Sequence, residues 1–337
     1  MGTYNGATYL PEQLESILNQ DLAPAEMVVG DDGSTDDTLA ILRDFSVRAP
    51  FPVQVTSNPT RLGYGENFIQ AATRCTGDWI AFCDQDDVWL PPKLARCAEA
   101  IASGPPDLGL VVHGSIIGDR ALTEIARTNW PKPGLYERLS LPPNWIVHGY
   151  RQVVRRLLLN EIPLKDRCIP WIWEPEAHDV WACLIASITG SVAVLDDRLA
   201  IYRRHETNTT EGAGLVPKTL LERIAGKIRD NSKEHKENAD LYCVISRYLS
   251  DRANTQLTPH RRDQFLSASA QIAALGDRFA VRAQINPHHS LGERIRAFSA
   301  LARSGAYSSK RGWGFGMAEG AIDLIRAILP NIARDLR

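Results

Sequence analysis

Three carboxylates crowd together at Asp84, Asp86 and Asp87, directly after the apolar run 79–83. The run predicts a buried strand, so the acidic cluster falls at that strand's carboxyl end. Like charges packed there repel one another and lose hydration unless a cation or hydrogen-bond donors meet them. An oxygen donor set of this kind suits a hard divalent ion, Mg²⁺ or Mn²⁺, which keeps positions open for phosphate oxygens. Taken alone, Asp-x-Asp reads as readily as a solvated acidic turn before a helix.

A second acidic motif, Val-Val-Gly-Asp-Asp-Gly-Ser-Thr-Asp-Asp-Thr, occupies residues 28–38. Residues 27–29 read as the end of a strand, and Gly33 permits a tight turn. Ser34 or Thr35 can cap a helix carrying Leu39, Ile41, Leu42 and Phe45, with Asp36 and Asp37 in its first turn. Capping leaves Asp31 and Asp32 unexplained. They stand at the strand end that faces the ligand crevice in open α/β sheets. A carboxylate there can accept the imide N–H of a uracil or thymine ring.

The elements that must position these groups alternate along the first half of the chain. Helices are predicted over 10–20, 36–46, 66–74 and 92–102, and strands over 25–29, 53–56, 79–83 and 108–113. Such alternation implies an α/β fold, a doubly wound and mostly parallel sheet. Residues 119–145, rich in Pro, Trp and Asn, read as loops. Residues 153–159 have helix character, 180–189 form an apolar helix, and 191–195 and 199–202 form two short strands. Beyond residue 212 the chain changes: residues 213–337 hold 20 Lys+Arg against 12 Asp+Glu, whereas residues 1–212 hold 18 against 28. This second region, 213–337, reads helical at 220–228, 237–249, 261–283, 291–302 and 318–329, the last ended by Pro330.

Composition narrows the class. The 337 residues are 44% hydrophobic and 23% charged, ordinary for a globular protein. A net charge of −2 leaves no basic footprint for nucleic acid. No apolar run reaches the roughly 18–20 residues of a membrane span. Six cysteines without a Cys-x-x-Cys pair fit reduced thiols in a cytoplasm, and no secretory signal is legible.

Seven stretches in fixed order carry a resemblance. They are Thr-Tyr-Asn-Gly at 3–6, Leu-Glu-Ser-Ile-Leu-Asn-Gln at 14–20, and Asp-Asp-Gly-Ser-Thr-Asp at 31–36. Asn-Pro-Thr-Arg-Leu-Gly-Tyr-Gly-Glu-Asn-Phe at 58–68 and Asp-Gln-Asp-Asp-Val-Trp-Leu-Pro at 84–91 follow. His-Asp-Val-Trp at 178–181 and Tyr-Arg-Arg-His-Glu-Thr-Asn at 202–208 complete the set. Over residues 1 to about 210 the chain resembles a family 2 glycosyltransferase of the GT-A fold, and within it the bacterial rhamnosyltransferase-like members.

The resemblance implies a GT-A catalytic domain over 1–212 and an inverting transfer from a nucleotide-diphosphate sugar. dTDP-rhamnose is the favoured donor and a UDP-sugar the next. The acceptor would be a polysaccharide or lipid-linked saccharide of the cell surface. By position, Asp179 matches the catalytic base, though an N-cap would also explain it. Asp86 matches the direct metal ligand, and His205 a further metal or diphosphate contact. Asp84 matches a ribose or water-mediated metal contact. Thr3, Tyr4, Asn5, Asp32 and Arg61 match the nucleotide side. Asp87 reads as a cap of the following helix. Arg203 and Arg204 offer charge to a diphosphate or to surface ion pairs, and His178 either tunes the base or caps. His148, Trp130, Trp145, Trp171 and Trp173 are candidates for the acceptor wall.

Relatives normally carry an apolar strand ahead of Thr-Tyr-Asn-Gly, where this chain has Met1-Gly2. Its absence would open the core of the sheet and shorten the nucleotide pocket. The basic helical tail implies either packing or contact with an anionic membrane surface at the inner face of the cytoplasmic membrane. Two competing functions remain from the residues. One is a nucleotidyltransferase, which would need a basic Gly-rich phosphate loop. The other is a non-catalytic nucleotide-sugar-binding or scaffold relative.

Overall fold

The structure, a computed structural model, describes residues 1–128, 131–143, 145–160, 178–206, 231–255, 257–308 and 314–329. The chain divides into two compact units: Met1–Arg138 with Asn144–Glu211, and Leu139–Pro143 with Gly212–Arg337. In the first unit, strands β1 (Gly2–Thr3), β2 (Met27–Asp31) and β3 (Val53–Ser57) form a parallel sheet in that order. The connecting helices are α1 (Leu10–Leu18) and α2 (Thr38–Arg48). Every residue of β2 is buried, which is why it reads as an unbroken apolar run rather than an alternating one.

A second sheet orders β4 (Trp79–Ala81), β9 (Gln152–Arg155), β6 (Leu108–Gly118), β10 (Ser191–Arg203) and β5 (Val88–Trp89). Here only β6 and β10 run parallel; the other neighbours are antiparallel. Helices α3 (Tyr64–Arg74), α4 (Lys93–Ser103), α5 (Arg156–Asn160) and α6 (His178–Thr189) complete the unit. The α/β class is as the sequence implies, with the parallel register concentrated in β1–β3. Helix α6 is buried from Trp181 to Thr189, so it is apolar all round.

Several local expectations are corrected. Residues 124–127 and 134–136, expected as loops, are strands β7 (Glu124–Arg127) and β8 (Gly134–Tyr136), paired with β6 and β10. The two short strands expected near 191–202 are one strand, β10, that bends through register shifts against β6. Residues 152–155 are strand before α5 begins, because their Val-rich stretch is buried against β4 and β6. Neither Ser34 nor Thr35 caps α2. Its N-cap is Asp37, and Asp36 Oδ1 accepts from Thr38 N instead (3.0 Å).

A cavity of about 350 Å³ lies inside the first unit, walled by Met27, Val28, Phe68, Trp79, Ile80 and Val153 among others. It runs between the edge of β2 before Gly30 and the free edge of β4, since β1 covers β2 only at Gly30 and Asp31. The Met1 ammonium is buried at one side and donates to Val28 O (2.8 Å). Burial lowers its pKa.

In the second unit the described helices are α7 (Ser232–Ala253), α8 (Pro259–Arg282), α9 (Leu291–Arg303) and α10 (Gly316–Ile328). Local chemistry sets two of the starts. Thr258 accepts from Arg261 N with Pro259 at the first helical position, and Ser290 with Glu293 forms a reciprocal capping box. The helix expected over 220–228 lies outside the described residues.

Candidate active site

One cleft of about 510 Å³ gathers Thr3, Tyr4, Asp32, Arg61, Asp84 and Asp86. Its floor is built by short-range polar chemistry. Asp31 takes Thr3 Oγ1 (2.9 Å) and the backbone N–H groups of Gly33 and Ser34, which closes the turn after β2. Gly33 holds φ +87°, a conformation a side chain would strain. Asn5 carries a left-handed φ of 46° and its Oδ1 accepts from Thr35 N (2.8 Å). Thr3 and Asn5 therefore spend their side chains on the turn. Asp32 accepts from Leu62 N (2.7 Å), Gly63 N (2.9 Å) and Asn58 Nδ2 (3.2 Å). It fixes the loop that carries Arg61, whose guanidinium lies 4.0 Å from the Tyr4 ring centroid.

Gln85 joins this wall to the acidic loop. Its Oε1 accepts from Tyr4 N (2.9 Å) while its Nε2 donates to Tyr4 O (3.1 Å). The amide thus pairs with the Tyr4 backbone as a strand neighbour would.

The acidic cluster follows β4. Asp84 is pushed up to about 7, first by burial, then by the charges of Asp86 and Asp179. Asp87 is fully buried and raised well above the usual carboxylate range, by burial and then by Asp84 and Asp86. It does not cap a helix: α4 starts at Lys93 after Pro92, and Asp87 Oδ1 accepts from Arg203 N (3.1 Å). Asp86 Oδ2 lies 2.9 Å from His205 Nε2, and the His205 ring stacks on Tyr9 at 4.6 Å. Arg203 is buried. It donates to Asp86 O (3.0 Å) and Arg120 O (2.7 Å) and pairs with Glu12. Arg204 and His205 line a neighbouring recess of about 580 Å³ with Arg120 and Tyr9.

Among the described residues no three His, Cys, Asp or Glu side chains form a ready metal cage. Asp86 and His205 nevertheless put an oxygen and a nitrogen donor side by side. Burial raises Asp84 first, and the neighbouring charges of Asp86 and Asp179 add to it. That donor pair fits a divalent ion.

Asp179 opens α6. Its Oδ1 accepts from Val180 N (2.8 Å), and Gln152 Nε2 donates to its carbonyl (3.1 Å). Its charge reaches Asp84. Beside it His178 is buried, stacked on Phe68 at 4.1 Å and edge-on to Phe82 at 4.6 Å. Among the described residues neither of its ring nitrogens has a hydrogen-bond partner. Burial lowers its pKa to about 4, against the pull of Asp179. His178 is therefore neutral at pH 7 and, among the described residues, caps nothing.

Residues 1–162 match the profile described as "Glycosyl transferase family 2". The dTDP-rhamnosyl transferase RfbG of Shigella flexneri is 33% identical over 240 residues, 68% of this chain and 79% of that protein. The chain belongs to glycosyltransferase family 2. An uncharacterized glycosyltransferase of Nostoc, alr2836, is 30% identical over 224 residues, and the match spans 64% of its length. Among solved structures, S. aureus TarS (1–349) aligns with 99% of this family 2 chain and 90% of its own at 18% identity, with a TM-score of 0.50. That likeness speaks to the fold.

Two residues of this family 2 site escape sequence reasoning. Gln85 is invisible because its role is a backbone pairing across 81 positions. Lys93 is fully buried, donates to Tyr150 O (2.7 Å) and lies 3.7 Å from the Trp89 ring centroid. Burial brings its pKa down to about 8. A lysine on the first turn of a helix reads as exposed, and its partners Tyr150 and Trp89 are not legible from that position. Of the candidate acceptor residues, Trp145 is buried core and His148 is exposed, while Trp130, Trp171 and Trp173 lie outside the described residues.

Proposed function

We propose that this glycosyltransferase moves a sugar, with inversion, from a nucleotide-diphosphate donor to a hydroxyl of a polysaccharide or lipid-linked saccharide in cell-surface glycan synthesis. dTDP-rhamnose is the favoured donor, supported by the likeness to an enzyme described as a dTDP-rhamnosyl transferase. The observation that carries the reading is the convergence of Tyr4, Arg61, Asp84 and Asp86 on one cleft, with Asp179 near enough to raise Asp84.

In this reading Tyr4 and Arg61 offer a flat face to the base, Thr3, Asn5 and Asp32 hold the loops around it, and Asp84 accepts from a ribose hydroxyl. Asp86 and His205 would hold Mg²⁺ or Mn²⁺, which would supply counter-charge to the departing diphosphate. Asp179 takes the proton of the acceptor hydroxyl. The acceptor oxygen bonds to the anomeric carbon on the face opposite the diphosphate, and the carbon–oxygen bond to the diphosphate breaks, its electron pair leaving with that group.

Asp179→Asn keeps the shape and removes the proton acceptor. Transfer should fall at least about 10²-fold, the scale of a general base, with donor affinity near wild type. Full transfer by the variant would reduce Asp179 to a structural residue of the α6 first turn.

A further inference from the structure

Helix α10 (Gly316–Ile328), which packs beside α9 (Leu291–Arg303), is inside out. On α10 the charged residues turn inward. Asp323 is fully buried and accepts from Arg282 Nε (2.7 Å), Arg326 Nη1 (3.2 Å) and Tyr307 Oη (3.0 Å). Glu319 accepts from Arg282 Nη2 (2.7 Å). The apolar residues turn outward: Met317 is 81% exposed, Leu324 41% and Ile328 52%, with Ala318, Ala321 and Ile325 exposed beside them. No charged residue of α10 stands among its exposed positions. Helix α9 buries Ala297 and Leu301 and exposes Glu293, Arg296 and Arg303, with one residue inverted. Arg294 is buried and donates to Ala327 O (2.9 Å), while Leu291 and Ile295 are exposed next to Arg296 and Arg303.

A helix on a water-facing surface buries its apolar stripe and exposes its charges. Burying an ion network is costly even when its hydrogen bonds are complete. The arrangement gains most where the outer face meets something apolar. No described helix is long and apolar enough to cross a membrane, so a lipid contact here would lie in the interface. Residues 213–337 carry 20 Lys+Arg against 12 Asp+Glu. That excess attracts anionic headgroups and repels a second copy of the same region.

We propose that the exposed face of α9 and α10 is a lipid-docking surface. Met317, Leu324, Ile325 and Ile328 enter the headgroup–acyl boundary of an anionic bilayer, and Arg296 and Arg303 meet lipid phosphates. The proposal is independent of which sugar the chain transfers.

Co-sedimentation of the full chain with vesicles of phosphatidylglycerol and phosphatidylcholine, against phosphatidylcholine alone, tests it. The wild type should bind the anionic vesicles at least about tenfold more tightly. Leu324→Glu combined with Ile328→Glu should lose at least about tenfold of that binding. Both positions are exposed, so circular dichroism and nucleotide affinity should match the wild type. Binding unchanged by the double substitution would overturn the assignment. So would a wild type that ignores vesicles but dimerises through this face, seen as a concentration-dependent sedimentation coefficient that the double variant abolishes.

Discussion

At the scale of single residues, the cleft rests on polar pairings between segments far apart in sequence. Gln85 is the sharpest instance, since it holds both backbone groups of Tyr4 and sits between Asp84 and Asp86. Two such hydrogen bonds are worth roughly 1–2 kcal/mol together, or about tenfold in affinity. Gln85→Ala should therefore raise the Kd for dTDP about tenfold and leave kcat at saturating donor within about twofold. Gln85→Glu should do no better, because a carboxylate cannot donate to Tyr4 O. A fall in kcat with unchanged Kd would mean that Gln85 acts on the chemistry rather than on the nucleotide wall. The carboxylates were legible from sequence as residue types at strand ends. Their partners were not: nothing in the chain announces that Asp32 is claimed by the Leu62 and Gly63 N–H groups, or that Asp87 serves Arg203.

At the scale of elements, the strand and helix alternation of the first hundred residues was readable because each segment buries one continuous face. Two of the corrected segments share a cause. Strands β7 and β8 are short edge elements whose pairing comes from β6 and β10 rather than from their own periodicity. The cavity between β2 and β4 makes a direct prediction. It is apolar and extends along two strand edges, so an extended apolar segment fits it. Fusing five Val- and Ile-rich residues ahead of Met1 should raise the melting temperature by several degrees and turn the buried Met1 ammonium into a neutral amide. An unchanged or lower melting temperature would show that the space does not accept a strand. Helix α6 makes another. His178 is neutral in the fold with a pKa of about 4, against an ordinary value near 6.5 once unfolded. The unfolded chain binds the proton first as pH falls. The stability tied to a neutral His178 is whole above pH 6.5 and is lost between there and about pH 4, a total of roughly 3 kcal/mol. His178→Leu should flatten that part of the stability-against-pH curve in urea titrations. An identical slope in variant and wild type would mean that the imidazole is not buried neutral.

At the scale of the whole molecule, the change of charge near residue 212 was visible in the sequence, as was the helical character beyond it. The inverted face of α10 was not, because a helical pattern gives the spacing of apolar residues and not which side meets the protein. Sequence and structure meet most closely in the first unit, where Thr3, Tyr4, Asp32, Arg61, Asp84 and Asp86 line one cleft, while Asn5, Asp179 and His205 lie outside its lining. The central claim is that this cleft binds a nucleotide diphosphate together with a divalent ion through Asp86. Calorimetric titration of dTDP into the full chain, with and without Mn²⁺, and again into Asp86→Ala, measures it directly. We expect binding that is at least about tenfold tighter with Mn²⁺ in the wild type, and no gain from Mn²⁺ in the variant. Equal affinity with and without Mn²⁺ in the wild type would contradict the account.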